Sequence, residues 1–146
     1  MKFKHKTISL KTKKLFDIID LTEQVLKFTN KKIKNGLVNI QTMHTTATLI
    51  LNENEPLLFE DIKENLQQLA PLKHLYSHDN FDIRTVNMCK DECANGHSHC
   101  KAIYLSPNIV LNFINGKLQL GQWQRILYIE LDRPRQRDIQ IAIMGE

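Results

Sequence analysis

The chain has 146 residues, of which 42% are hydrophobic, and it carries a formal charge of +4. This length predicts a single domain over residues 1–146, with enough apolar residues to form a core. No apolar run approaches the roughly 20 residues of a membrane-spanning helix, and the N-terminus lacks the apolar stretch of a signal peptide. The three cysteines are an odd number, which excludes a framework of paired disulfides. We therefore expect a soluble, cytoplasmic protein without a membrane partner, whose cysteines are free thiols or metal ligands.

Basic residues are concentrated in three segments, residues 2–14, 31–34 and 133–137. Such segments fit the solvated side of an edge strand, where lysines discourage unwanted pairing. They also fit a surface that attracts a phosphorylated substrate. A nucleic-acid-binding arm would need aromatic residues among the lysines, and only Phe3 and Phe16 lie nearby. Nucleic acid is therefore not an expected partner.

The first half of the chain predicts four strands and two helices. Residues 3–14 alternate in polarity like a half-exposed strand, and residues 15–20 are expected to pair with it after a turn. A helix follows over residues 21–33, with Asp20 or Thr22 as its N-terminal cap. Residues 36–44 and 45–54 have the alternation and β-branched content of strands. A second helix begins at Pro56 and ends before Pro71, with one buried face predicted at Leu57, Ile62, Leu66 and Leu69.

The second half begins with a long polar segment, residues 73–95, that lacks any periodic pattern. Loops of this length within a compact domain are usually functional or disordered. A short helix is predicted over residues 97–105. Four strands follow, with a hairpin turn at Ile114 to Lys117, over residues 108–113, 117–121, 124–132 and 137–145. The predicted fold is α+β, a mostly antiparallel sheet or sandwich with two main helices packed on one side.

The stretch CKDECANGHSHCKA, residues 89–102, permits two interpretations. A local one is a structural zinc site, because its ligand types and spacings are loosely those of zinc modules; its candidate ligands are Cys89, Cys93, His97, His99 and Cys100. A distant one joins His99 to His44 and His78, since three imidazoles can hold a divalent metal with one position open. A lone histidine is also commonly a hydrogen-bonded structural residue, so spacing alone leaves these alternatives open.

Four motifs occur in order along the chain: HTTATLILNEN from His44, YSHD from Tyr76, NGHSHCKA from Asn95 and GKLQLGQWQRILYIELD from Gly116. In this combination the chain resembles the YjbQ-like family, whose members are described as secondary thiamine-phosphate synthases. The resemblance runs from about Asp20 to Glu146. It implies a metal triad of His44, His78 and His99, most simply around zinc, while magnesium also fits a diphosphate substrate. It further implies a homo-oligomer, a trimer, as the assembled form.

Other residues in the matching motifs have chemical uses that the resemblance suggests. Glu53 is the candidate acid–base residue and Lys101 the candidate phosphate contact, and both are predicted as catalytic. Candidate substrate-binding residues offer hydroxyl, amide or indole groups: Thr45, Thr46, Asn52, Asn54, Asn95, Trp123 and Gln124. Strand packing for the threonines, a structural hydrogen bond for Glu53, and a core or interface position for Trp123 are the alternatives.

The chain departs from the family pattern at two places. It has GQWQ, with Gln122, where relatives commonly have GTWQ, and it has YLSPN around Ser106, where relatives often have a glycine. A bulkier residue near Ser106 could narrow the approach to a phosphate. These departures bear on the size of the substrate more than on the histidines.

The resemblance implies a metal-dependent enzyme that joins a pyrimidine diphosphate to a thiazole phosphate, giving thiamine phosphate and pyrophosphate. Because that reaction is a side activity in described members, the expected native substrate is another small phosphorylated metabolite. A metal-assisted hydrolysis is equally compatible with an open three-histidine site. The alternative is a non-catalytic module that binds a metal or metabolite in the same cavity.

Overall fold

The computed structural model describes residues 1–29 and 33–146. Within these residues the fold is α+β, as predicted. The elements in chain order are β1 (Lys2–Lys11), β2 (Ile18–Asp20), α1 (Thr22–Phe28), β3 (Gly36–Thr42), β4 (Ala47–Asn52), α2 (Pro56–Leu69), a 3-10 turn (Ser77–Asp79), α3 (Gly96–Ala102), β5 (Asn108–Ile114), β6 (Lys117–Leu118), β7 (Arg125–Glu130) and β8 (Gln136–Gly145). None of the described helices has the length and apolar content needed to cross a membrane.

The strands form two antiparallel sheets. A five-stranded sheet has the order β1-β8-β3-β5-β6, and a three-stranded sheet has the order β2-β7-β4. The lysine-rich strand β1 lies at an edge of the larger sheet, as the edge-strand interpretation of the N-terminal segment predicted. The hairpin between β5 and β6 is also confirmed, because Asn115 and Gly116 both have positive φ angles, 51° and 73°.

Two hydrophobic clusters hold the layers together. The first joins the two sheets face to face, where Ile141 of β8 and Leu49 of β4 are fully buried with two residues of the α1 region, Leu21 and Val25. The second lies on the opposite face of the three-stranded sheet, where Ile129 packs with side chains of α2 and of the end of α3. Strand β7 is therefore buried on both faces, and its burial explains the nearly continuous apolar run that encodes it.

Three sequence-based expectations about local structure differ from the observed fold. Strand β2 pairs with β7 and not with β1, because the chain crosses to the smaller sheet at Phe16, whose N–H donates to the carbonyl of Glu130. Helix α1 ends at Phe28, before the predicted end; residues 30–32 of the prediction lie outside the described residues. In α2 only Leu66 is fully buried, whereas Leu57 is 75% exposed, because the helix covers the sheet with a narrow face.

Candidate functional site

The predicted site residues are divided between the two ends of β4. In the antiparallel pair with β7, Ala47 lies opposite Glu130 and Asn52 lies opposite Arg125. A strand rises about 3.3 Å per residue, so these two ends are roughly 17 Å apart. His44, Thr45 and Thr46 precede the first end, which we call the Glu130 end. Asn52, Glu53 and Asn54 belong to the second, which we call the Asn52 end.

At the Glu130 end the structure brings together two of the three predicted metal-binding histidines. The rings of His78 and His99 lie with their centroids 4.6 Å apart at an interplanar angle of 61°. His78 belongs to the 3-10 turn near the start of the long loop, and His99 to α3, which follows the loop, so the two ends of the loop meet here. Neutral imidazoles each carry one N–H donor and one acceptor nitrogen. The pair can therefore donate protons to, and accept protons from, one bound molecule.

The contact between the 3-10 turn and α3 is fixed by Asp79 and Gly96. The Oδ1 atom of Asp79 accepts the backbone N–H groups of Asn95, at 2.9 Å, and of Gly96, at 2.8 Å. A Cβ atom at Gly96 would lie 2.5 Å from the Cβ of Tyr76, closer than two carbon atoms can approach. Only glycine permits this approach, which sets the spacing of His78 and His99.

Arg84 organises the long loop beside His78. Its guanidinium donates to the carbonyl oxygens of His78 at 3.3 Å, of Val86 at 3.4 Å and of Asn87 at 3.0 Å. Its Nη2 also lies 3.6 Å from Oε2 of Glu92. A pocket of about 460 Å³ opens at this point, lined by Ser77, His78, Arg84, Val86 and Asn87. The loop that lacked a pattern in the sequence is therefore ordered around a cation and forms one wall of the candidate site.

Burial and neighbouring positive charges favour the neutral form of three histidines at this end, His44, His97 and His99. Burial, then the charges of His78 and Arg84, lower the pKa of His99. Burial and the charge of Lys101 lower the pKa of His97, and burial and the charge of Arg137 lower that of His44. At neutral pH these imidazoles are therefore uncharged, which is the form that can accept a proton or bind a metal.

His44 has another partner. Its Nε2 accepts the backbone N–H of Asp138 at 2.8 Å, so the neutral ring carries its proton on Nδ1. The neighbouring Thr46 is buried, and its hydroxyl accepts from Nη2 of Arg137 at 3.0 Å. Thr45 is exposed. The segment from His44 to Thr46 is thus fastened to the start of β8, and only Thr45 of its two threonines faces solvent.

The residues present do not fit a three-histidine metal centre within one chain. Across residues 1–29 and 33–146, no group of three or more His, Cys, Asp or Glu side chains lies close enough to hold a metal ion. The lone pair of Nε2 on His44 is occupied by the Asp138 N–H, which leaves His78 and His99 as two candidate ligands. A catalytic zinc ion normally has three protein ligands. The three cysteines are free thiols and belong to no such group either, so the described residues give the local zinc interpretation no support.

Lys101, a predicted catalytic residue, is fully buried inside the chain. Its Nζ donates to the carbonyl oxygen of Ala70, at the end of α2, and lies 3.2 Å from Nδ1 of His97. The same ammonium lies 5.6 Å from the ring centroid of Phe16, within cation–π range. Burial lowers the pKa of Lys101 to about 8. This side chain ties α3 to α2, and solvent or a phosphate has no access to it in this conformation.

Asn95 belongs to the Glu130 end but is 6% exposed, and its backbone, not its amide, makes the contact with Asp79. The other predicted residues lie at the Asn52 end. Glu53, Asn54 and Trp123 line one pocket there, although 69 residues of sequence separate Asn54 from Trp123. Asn52 lines a separate, more apolar pocket between β4 and α2. Gln124 is exposed, and its Oε1 accepts the backbone N–H of Gly121 at 2.8 Å.

Sequence reasoning missed the buried ion pair between Glu130 and Arg137. Both side chains are almost completely buried, and Nε of Arg137 donates to Oε2 of Glu130 at 2.7 Å. Thr12 donates to the same carboxylate at 2.9 Å, and the N–H of Asp132 donates to it at 3.0 Å. The basic segment 133–137 suggests a solvated Arg137, and for this residue that interpretation is wrong. The alternation of β8 contained the missing signal, because Arg137 lies in register with three inward-facing isoleucines.

Comparison with known proteins gives consistent matches over nearly the whole chain. A family model described as "UPF0047 protein YjbQ-like" matches residues 6–146. A UPF0047 protein of Archaeoglobus fulgidus is 40% identical over 137 residues, which cover 94% of this chain and 98% of the relative. The UPF0047 protein YugU of Bacillus subtilis is 30% identical, covering 96% of this chain and 98% of the relative.

Solved structures show the same fold. The crystal structure of a YbjQ-like protein of unknown function from Sulfolobus solfataricus superposes with a TM-score of 0.87, at 33% identity, covering 99% of both chains. That of a hypothetical protein from Aeropyrum pernix superposes with a TM-score of 0.85, at 30% identity, covering 98% of this chain and 99% of that one.

Proposed function

The chain belongs to the UPF0047 protein YjbQ-like family, and from this premise we propose that it is an enzyme that acts on a small phosphorylated metabolite at the Glu130 end. The proposal includes, as a side activity, the joining of a pyrimidine diphosphate to a thiazole phosphate. The observation that carries it is the pairing of His78 and His99, 4.6 Å apart, beside a pocket bordered by Arg84. Paired titratable side chains from distant segments, at a pocket, are typical of catalytic sites. We also propose a cytoplasmic location, in keeping with the three free thiols.

The chemistry of the joining reaction suits these side chains. The thiazole nitrogen attacks the methylene carbon of the pyrimidine, the C–O bond to the diphosphate breaks, and its electron pair leaves with pyrophosphate. Negative charge therefore grows on the leaving group in the transition state. The N–H groups of His78 and His99 would donate to its oxygens, and the positive charge of Arg84 would stabilise it further. Because His99 is neutral, its second ring nitrogen could also accept a hydrogen bond from an N–H or O–H group of the substrate.

No step of this scheme is assigned to a metal ion. A zinc ion held by His44, His78 and His99 would require His44 to release the N–H of Asp138. Magnesium bound to the diphosphate itself would need no histidine ligand, because that ion prefers oxygen ligands and water. Metal dependence therefore stays a prediction, and it is tested by measuring turnover after chelation and after adding back zinc or magnesium separately.

The test uses the pyrimidine diphosphate and thiazole phosphate with purified protein and measures thiamine phosphate. We expect His99→Ala and His78→Ala to lose turnover by about 100-fold or more, the usual range for a donor that stabilises charge in the transition state. His74→Ala is the matched control, because His74 is exposed and lies outside this pair; its turnover should match that of the unsubstituted protein. Substrate binding without turnover would instead support a non-catalytic metabolite-binding module. Equal losses in all three variants would exclude the proposed site.

We further propose that the protein assembles as a homotrimer through the outer face of the five-stranded sheet. Phe3, Met144 and Leu37 lie side by side across β1, β8 and β3 on this face, and they are 62%, 42% and 43% exposed. Val110 of β5 adds a further exposed apolar side chain. Across the central strands β8, β3 and β5, the outward-facing described side chains include one ionisable group, Asp138. A second copy would bury these exposed apolar side chains, and a face with so few charges could be covered at little electrostatic cost.

A further inference from the structure

A second pocket lies at the Asn52 end, away from the paired histidines. We call it the Trp123 pocket. It has a volume of about 380 Å³, and its lining includes Asp20, Glu23, Glu53, Asn54, Trp123 and Arg125. Its walls come from three separate parts of the chain: the end of β2 with the start of α1, the residues that follow β4, and the segment that leads into β7. The indole of Trp123 is 65% exposed, so a large aromatic surface is available at this pocket.

One side of the pocket is built around Asp20. Its Oδ1 accepts the backbone N–H of Thr22 at 2.8 Å, and its Oδ2 accepts Nδ2 of Asn54 at 2.9 Å. Although burial alone raises the pKa of Asp20, these hydrogen bonds and the charge of Arg125 lower it overall. Asp20 is therefore ionised and compensated by Arg125. This wall is a fixed arrangement of hydrogen bonds, and Asn54 is held in it by its amide.

The rest of the pocket has uncompensated negative charge. Glu23 and Glu53 also line it, and neither carboxylate makes a hydrogen bond or ion pair with any other described side chain. Three carboxylates and one guanidinium leave an excess of about two negative charges in one concave space. An inorganic divalent ion does not fit, because no three acidic or histidine side chains of the described chain come close enough to hold one. A phosphate would be repelled.

We propose that the Trp123 pocket binds a small organic cation, of the alkylammonium or positively charged heteroaromatic class. Such a cation spreads its charge over several atoms, so it interacts with carboxylates too far apart to share a metal ion. It also stacks on the indole, and tryptophan is the best aromatic partner for a cation. The proposal goes beyond the reaction assigned to the Glu130 end and does not depend on it. It gives Glu53 and Trp123 a role that an anionic group could not provide.

The experiment exploits the fact that Trp123 is the only tryptophan in the chain. Choline is titrated into the protein while tryptophan emission is followed, and the titration is repeated with its uncharged isostere, in which a tert-butyl group replaces the trimethylammonium group. We expect a saturable change with choline, at least about tenfold weaker binding of the isostere, and no saturable change with inorganic pyrophosphate. Equal binding of choline and the isostere, or saturation by pyrophosphate, would overturn the proposal.

Two variants locate the effect. Glu53→Gln should weaken choline binding about threefold to tenfold, the Coulomb contribution of one carboxylate at this range in a wet pocket. Glu60→Gln makes the same chemical change on the exposed face of α2, outside the pocket, and should leave binding unchanged. Both positions are exposed, so neither change should disturb the fold. If Glu60→Gln weakens binding as much as Glu53→Gln, the effect comes from net charge and the assignment to this pocket is wrong.

Discussion

Removing either partner of the Glu130–Arg137 ion pair should strongly destabilise the protein. The side chains are 0% and 2% exposed, so the charge that remains would be buried without a counterion. Removing one partner of a buried, hydrogen-bonded pair costs about 3–5 kcal/mol. For a chain near this size, each kcal/mol lowers the melting temperature by roughly 2–4 °C. Glu130→Leu and Arg137→Met should therefore each lower it by about 10 °C.

The double variant distinguishes the charge effect from loss of packing. In Glu130→Leu combined with Arg137→Met no buried charge remains, so the loss should be smaller than the sum of the single losses. We expect a coupling free energy of about 2 kcal/mol, within the range for residues in direct contact. The double variant should still be less stable than the original protein. The hydroxyl of Thr12 and the N–H of Asp132 lose their acceptor, at a cost of about 1–3 kcal/mol each.

The assay is equilibrium unfolding in urea, followed by far-ultraviolet circular dichroism at one fixed protein concentration, because association would make stability depend on concentration. Glu60→Gln is the control. It removes an exposed ion pair with Lys63 and should change the free energy of unfolding by less than about 1 kcal/mol. If the losses of unfolding free energy in the two single variants simply add in the double variant, the two side chains are not energetically coupled. The explanation by an unpaired buried charge would then be wrong.

Gly96, His97 and the outer sheet face each provide a further test. Gly96→Ala should destabilise the protein by about 1–3 kcal/mol, because its Cβ would meet Tyr76, whereas Gly121→Ala, whose Cβ would meet a flexible glutamine at 3.4 Å, should be nearly neutral in the same urea assay. The pKa of His97 is lowered in the folded chain, so as the pH falls past the ordinary value of 6.5 the imidazole is protonated in the unfolded chain before it is protonated in the folded one. The free energy of unfolding should therefore decrease from about pH 7.5 to about pH 5.5. The decrease should be smaller in His97→Asn. Leu37→Asp should convert an oligomer to monomers in light scattering, and an unchanged mass would exclude the outer sheet face as the interface.

Much of the fold was predictable because the spacing of apolar residues along the chain indicates which side chains are buried. Alternating residues identified β1, β3, β5 and β8, and the turn at Asn115 and Gly116 identified its hairpin. The partner of β2 was not predictable in this way. Its pattern indicates a strand, but pairing depends on where the chain crosses between sheets, and that crossing is fixed by contacts with β7, more than 100 residues later. The sequence of residues 15–20 therefore does not predict the strand with which β2 pairs.

The candidate site was predictable in its residue types and less so in its arrangement. The burial of Lys101 under the end of α2 depends on its contact with Ala70, 31 residues away in sequence. The motif HSHCKA contains no pattern that predicts this contact. The hydrogen bond from Asp138 to His44 is similar, because a histidine at a strand end has the same sequence pattern whether its ring is free or occupied. Residue type indicates what a group can do, and its neighbours in the fold decide whether it is available.

The motif HTTATLILNEN shows why a contiguous match need not be a single site. Its two polar ends flank a strand of six residues, and an extended strand carries them about 17 Å apart. The ends also differ in their polar groups: neutral imidazoles and the guanidinium of Arg84 lie at the first, whereas the carboxylates of Glu53, Glu23 and Asp20 surround the second. One small ligand cannot contact both within a chain. Under the two proposals an anion binds at the first end and a cation at the second, so a reaction that uses both must either bring two copies together or act on two separate ligands.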